Sequence, residues 1–164
     1  MLVLQPPLDG KLRVTQRFGA PLGRLNLGIS GPHKGVDFVA KVGTPAYASL
    51  SGRVIYRGWD SKGSGNLLIL RGVSHDVLYA HLDAFNVRLG ATVRAGSIIG
   101  ATGRTGRVTG PHLHFGLRPY NKKTGKAGVW IDPMPYFANK STPVVPKSFK
   151  TSAYDRQYLC TLVK

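Results

Sequence analysis

The sequence predicts an all-β fold, an antiparallel β-sheet or sandwich core made of hairpins, with little helix. Three observations carry that prediction. Short apolar runs recur along the chain, each bounded by turn residues. Glycine and proline number 21 and 11 of 164 residues, which favours frequent reversals over long helices. No stretch before the C-terminal tail shows a convincing helical period, and none repeats another.

In chain order, the segments expected as strands are Val36–Val39, Ala46–Leu50, Arg53–Arg57, Asn66–Leu70, Val77–Leu82, Ser97–Ala101 and His112–Leu117. Glycines between Gly52 and Gly110 punctuate them. Two loops stand apart. One, residues 20–32, is glycine-rich and runs into His33; the other, residues 102–111, ends at His112. Each delivers a histidine, so both are expected to wall a cleft. After Phe137 the composition shifts. Residues 138–152 are polar and proline-bearing like a linker. Tyr154, Tyr158, Leu159 and Leu162 then fall at the spacing of a short helix. The expected division is a domain over 1–137 and a basic linker and C-terminal tail over 138–164.

Length suits one domain with a real core. The charge is lopsided: 23 Lys and Arg against 7 Asp gives +16. Such a surface is drawn to polyanions, for which nucleic acid and an anionic cell envelope are the candidates. The basic residues are scattered without a run of five, so no specific nucleic-acid partner is expected. Cys160, the only cysteine, has no partner for an intramolecular disulfide. Residues 1–19 lack the pattern of a Sec-type signal peptide, and no apolar run of ~20 residues would span a membrane. Synthesis in the cytoplasm and a monomeric state are the expectations.

The chemistry is concentrated in imidazoles. Glutamate is absent, and four of the five histidines fall in His33-Lys34-Gly35-Val36-Asp37, Tyr79-Ala80-His81-Leu82 and His112-Leu113-His114. Proton transfer near neutral pH therefore falls to histidine. On a strand, His112 and His114 point to one face, with Cα atoms roughly 6–7 Å apart. That suits two ligands of one metal, or one ligand beside a catalytic base. On a straight strand His33 and Asp37 would lie about 13 Å apart, too far for donors about 2 Å from one zinc ion. A bend at Gly35 resolves this, with His33 on a loop and Asp37 opening a strand. Strand alternation groups His81 with Val77 and Tyr79, and His75 is expected to be exposed in a hairpin turn. Three donors suffice for a catalytic zinc with a position left for water, which leaves two histidines over. A neutral imidazole can accept a proton, and an imidazolium can steady an oxyanion. Spacing alone does not say which histidines bind and which catalyse.

Further motifs come in order: Thr15-Gln16-Arg17-Phe18-Gly19, Gly43-Thr44-Pro45-Ala46-Tyr47-Ala48, Gly52-Arg53-Val54-Ile55, Gly65-Asn66-Leu67-Leu68-Ile69 and Gly110-Pro111-His112-Leu113-His114-Phe115. With the histidine motifs, their order and spacing closely resemble the lysostaphin/LytM-type zinc endopeptidases, peptidase family M23, over Val14 to Phe137. The resemblance implies an antiparallel sheet as the floor of a groove with loops as its walls. It implies one Zn2+ held by His33, Asp37 and His114, with His81 and His112 assisting catalysis. It further implies hydrolysis of peptide bonds in the stem or cross-bridge peptides of bacterial peptidoglycan; the absent signal-peptide pattern and the compact size lead to the expectation of a phage-type endolysin or virion lysin. The alternative is a catalytically inactive LytM-type scaffold that activates a cell-wall amidase. A D-alanyl–diaminopimelate cross-link and a glycine-rich bridge are both open as the bond cleaved. Affinity for the anionic envelope is expected from the basic charge. Two departures stand out. Gly116 occupies a position where the family often has Glu, and the hairpin before Tyr79 is short, which is expected to widen or shallow one side of the cleft.

Overall fold

The structure, a computed structural model, describes residues 1–22 and 31–137. Eleven strands are found among them: β1 (Val14–Gln16), β2 (Val36–Val39), β3 (Pro45–Tyr47), β4 (Gly52–Asp60), β5 (Gly65–Arg71), β6 (His75–Ala80), β7 (Leu82–Phe85), β8 (Thr92–Val93), β9 (Ile98–Thr102), β10 (His112–Asn121) and β11 (Lys126–Ala127). The one helical element among the described residues is a 3-10 turn at Met134–Tyr136. The larger sheet runs β1-β2-β10-β6-β5-β4-β8, with β11 paired to β10; the smaller runs β3-β9-β7. Every pairing between these strands is antiparallel.

Alternation along β10 decides what the larger sheet presents on each side. Leu113, Phe115 and Leu117 are fully buried in the main core. His112, His114, Gly116, Arg118 and Tyr120 take the opposite face, as the two-residue period of a strand requires. The core closes between the inner face of this sheet and the smaller sheet, where Ala46, Leu82 and Ile99 join Phe38, Leu68, Leu70 and Tyr79. The N-terminal segment adds Leu4 and Leu8 to the same core. Leu4 also pairs with Phe137, so the two ends of the 1–137 segment meet.

The expected all-β fold is the observed one, and each predicted strand segment overlaps a strand, although Ala46–Leu50 does so only at Ala46 and Tyr47. Two expectations are corrected. Val77–Leu82 is not one strand: it breaks at His81, where φ is +62°, and continues as β7 in the smaller sheet. His75 does not lie in the turn. It opens β6 opposite Pro119, half-buried, with its ring 6.2 Å from that of Tyr136. Backbone pairing across β6 and β10 drew it into the sheet. The short β1, β8 and β11 escaped sequence reading because two- and three-residue strands have no periodicity of their own; they form on neighbours already in place. The linker and the terminal helix expected beyond residue 137 lie outside the described residues.

On the outer face, β6 carries a fully buried carboxylate, Asp76. Its cross-strand neighbours are Arg71 on β5 and Arg118 on β10. Arg71 donates two hydrogen bonds to it, 2.7 and 2.9 Å long, and Arg118 donates from Nε at 3.1 Å. The guanidinium of Arg71 lies over the Tyr120 ring at 3.6 Å, and that of Arg118 over Trp130 at 4.8 Å. Two cations held on adjoining strands require the anion between them. Asp76→Ala is expected to cost about 3 kcal/mol, at the lower end of what breaking a buried ion pair costs because both arginines keep some solvent. Urea unfolding followed by circular dichroism measures it, and metal uptake should be unaffected.

Candidate metal centre

Register builds the centre. Antiparallel pairing sets His114 of β10 directly opposite Asp37 of β2, where side chains on the same face nearly touch. Val36 and Phe38 on either side of Asp37 are fully buried in the core, so alternation turns Asp37 to the face of His112 and His114. The chain bends at Lys34 and Gly35 and swings His33 over the same point, as the His33/Asp37 spacing demanded. Gly35 has a second role that spacing did not show. A Cβ there would lie 2.5 Å from the Phe115 carbonyl oxygen and 2.7 Å from Cε1 of His114.

Proton accounting identifies the donors. His33 Nδ1 lies 3.0 Å from the Arg17 carbonyl oxygen, which can only accept, so Nδ1 carries the proton. The neutral ring then aims the lone pair of Nε2 inward. That atom, Asp37 Oδ1 and His114 Nδ1 face one another at 3.2, 2.8 and 2.9 Å. The carboxylate oxygen can only accept, so its close contacts with the two ring nitrogens need a proton or a metal ion between them. For donors 2.0–2.1 Å from a tetrahedral zinc, the edges are about 3.3 Å, close to those observed. The donor chemistry, two imidazole nitrogens and one carboxylate, also fits zinc, so these three residues could hold a metal ion. Burial opposes the charge on Asp37, but hydrogen bonds and charge from His114 and His33 outweigh it and hold the carboxyl well below its usual range. Burial likewise opposes a charge on His33, and there too the interaction with Asp37 prevails and raises its proton affinity.

His81 and His112 join the same group. The rings of His81 and His112 lie 4.7 Å apart between centroids, and His81 lies 5.9 Å from His114. His112 Nδ1 donates to the Gly110 carbonyl at 2.9 Å, leaving Nε2 facing Asp37 Oδ2 at 3.7 Å. His81 Nδ1 donates to the Thr105 carbonyl at 2.9 Å. Burial, reinforced by the neighbouring His112 and His114, pushes the His81 imidazole down to a pKa of about 4, so it is neutral at neutral pH. The expected grouping of His81 with Tyr79 is overturned. Tyr79 faces the core opposite Phe115, and an unbroken strand would have buried His81 beside it. The left-handed backbone at His81 sends the ring to the other face.

All five histidine and aspartate residues singled out by sequence thus surround one point, on the floor of a cleft of about 600 Å³. Pro21, Leu22 and Pro32 line it, as do Arg107, Val108 and Thr109, so both expected loops contribute to its lining. Lys34, Lys62 and Arg107 are exposed on its rim. The short turn at 72–74 does not border the cleft, contrary to expectation. It caps the end of β6 away from Ala80 and His114, and lines a separate hollow with Met1, Leu2 and Val3. Sequence reasoning missed Asn66 and Thr105, which hold the backbone around His81; both sit beside glycines (Gly65, Gly106) with positive φ, a signal that was available.

A family model, Peptidase family M23, matches residues 31–127. The glycyl-glycine endopeptidase ALE-1 of Staphylococcus capitis is 39% identical over 149 residues, covering 85% of this chain and 40% of that protein. The peptidoglycan DD-endopeptidase ShyA of Vibrio cholerae is 36% identical over 119 residues, covering 70% of this chain and 28% of that protein. The solved catalytic domain of lysostaphin from Staphylococcus simulans superposes with a TM-score of 0.65 at 38% identity, covering 76% of this chain and 91% of that domain. This chain belongs to peptidase family M23. It spans about 28–40% of the length of the two curated relatives named above.

The packing at Gly35 yields a test. Gly35→Ala drives a methyl group against the His114 ring and the Phe115 carbonyl, so His114 must leave its position. Affinity for zinc, measured by competition with a chromophoric chelator, is expected to fall about tenfold or more, the scale seen when support of a ligand is lost. The far-ultraviolet dichroism should remain that of the parent.

Proposed function

We propose that this chain is a zinc-dependent endopeptidase that hydrolyses peptide bonds in the stem or cross-bridge peptides of bacterial peptidoglycan. The observation that carries the reading is the convergence of two imidazole nitrogens, one carboxylate oxygen and two further imidazoles on the floor of one cleft in an M23 chain. His33, Asp37 and His114 hold the ion, with the Arg17 carbonyl fixing the tautomer of His33. A zinc ion bound there supplies Lewis acidity and lowers the pKa of water. His81, neutral and with Nε2 unprotonated, is suited to take a proton at that atom. His112, its Nδ1 proton committed to Gly110, presents Nε2 from beside Asp37 and steadies negative charge when that nitrogen is protonated.

The names of the relatives span two bond types, that of a glycyl-glycine endopeptidase and that of a peptidoglycan DD-endopeptidase. Both bond types lie in wall peptides, the substrate class proposed here. Lys34, Lys62 and Arg107 on the rim, together with the net charge of +16, support contact with the anionic envelope. A phage-type endolysin or virion lysin is the setting we favour, because a cationic groove directed at the wall matches that task; detection of the chain in purified phage particles or in lysing cells tests it. The scaffold alternative draws no support from a centre in which all five side chains are kept and gathered.

Substitutions separate the two roles. His112→Ala is expected to abolish release of peptides from purified peptidoglycan while stoichiometric zinc is retained. His114→Ala should lose both. Metal analysis beside a wall-digestion assay checks each, and wild-type digestion by either variant would sink the assignment. Mass spectrometry of fragments from a diaminopimelate-type and a glycine-bridged wall identifies the bond.

A further inference from the structure

His81 is the one non-glycine residue with positive φ among the described residues, at +62°. Side chains seldom hold that backbone without outside support. The support comes from two loops. The His81 N–H donates to the Ser64 carbonyl at 2.9 Å. The next carbonyl along, that of Leu82, accepts from the Thr105 hydroxyl at 2.8 Å and from Asn66 Nδ2 at 3.0 Å. Thr105 Oγ1 also accepts from the Asn66 N–H at 3.0 Å, and the Thr105 carbonyl takes the proton of His81 Nδ1. Thr105 therefore grips the kink from the main chain on one side and the imidazole on the other. Its loop cannot drift from that of Ser64. The Arg107 N–H donates to the Gly63 carbonyl at 2.8 Å, and Gly65 and Gly106 meet so closely that neither has room for a Cβ.

We propose that Thr105 is the positioning residue of His81: its hydroxyl locks the left-handed kink, and its carbonyl, so placed, keeps the proton on Nδ1 and the lone pair of Nε2 directed into the centre. The proposal rests on the reading of His81 as the proton acceptor. It differs from a packing role, because the hydroxyl acts on the orientation and tautomer of one ring. Thr105→Val keeps the size and removes the hydroxyl; Thr105→Ser restores it.

The experiment uses the zinc-loaded chain and a soluble cross-linked peptide from whichever wall type it digests. Thr105→Val is expected to lower kcat about tenfold or more, the scale for an outer partner of a catalytic group, with KM and zinc content unchanged. Thr105→Ser should recover most of kcat. In a His81→Ala background, Thr105→Val should cause no further loss. Nitrogen-15 NMR of the imidazoles should show His81 protonated at Nδ1 in the parent and in Thr105→Ser, and a mixture of tautomers in Thr105→Val. The proposal is overturned if Thr105→Val keeps both the parental kcat and the single tautomer, or if it costs as much without His81 as with it. Should the parent cleave no wall peptide, the functional reading fails, and the NMR comparison alone still decides whether Thr105 governs His81.

Discussion

The register of β10 against β2 is the constraint on which the rest depends. A slip of one residue would carry Asp37 into the core and bring Val36 and Phe38 to the surface, because side chains alternate with a period of two. The core forbids that slip. Phe38 packs at 6.2 Å from Phe115 and 6.0 Å from Phe137, and Phe115 meets Tyr79 edge-on at 5.4 Å. Burial of these aromatics on one side of two strands thus fixes the place of a carboxylate and two imidazoles on the other. The apolar packing holds the geometry; the polar cluster is crowded because the sheet beneath it leaves it no alternative.

Much of this was legible in the sequence because its period was legible. His112-Leu113-His114-Phe115 states both faces of β10 in four letters, and Val36-Asp37-Phe38 does the same for β2. The need for a bend between His33 and Asp37 followed from strand rise alone. What escaped shares a common cause: it depends on contacts between segments distant in sequence. The reversal of His81 follows from a positive φ, which no local pattern announces in a histidine and which Asn66 and Thr105 sustain from 15 and 24 residues away. Asp76 had no local signal, because its two arginines come from neighbouring strands. Gly35 was read as a hinge; that it also makes room for the His114 ring emerges only once β10 lies against it.

Gly116, where the resemblance led to an expectation of Glu, has a physical counterpart in the fold. A Cβ there would lie 3.1–3.2 Å from two atoms of the Trp130 ring and 3.4 Å from Leu78 Cβ. The indole therefore covers a position two residues along β10 from His114, on the same face, and packs with Leu67, Ile69, Leu78 and Ala80 in a small cluster. A carboxylate on that spot would displace Trp130 and end its contact with Arg118. Glycine and tryptophan are thus two halves of one arrangement, and the floor next to the centre is apolar where an acid would have made it charged.

Three of the four imidazoles in the centre give their outward proton to a main-chain carbonyl: His33 to Arg17, His81 to Thr105 and His112 to Gly110. Each carbonyl lies on a connecting segment between strands, two of them in the loop before β10 that also walls the cleft. A carbonyl is present whatever side chain the residue carries. Wall residues such as Arg107, Val108 and Thr109 can then differ in chemistry without disturbing where the protons of the centre sit, provided the backbone keeps its path. The chemistry of the cleft wall and the placing of the protons thus belong to different parts of the same loop. That separation gives a physical route by which the chemistry of the walls can vary while the five residues of the centre keep their places, with the glycines that hold the loop paths as the requirement.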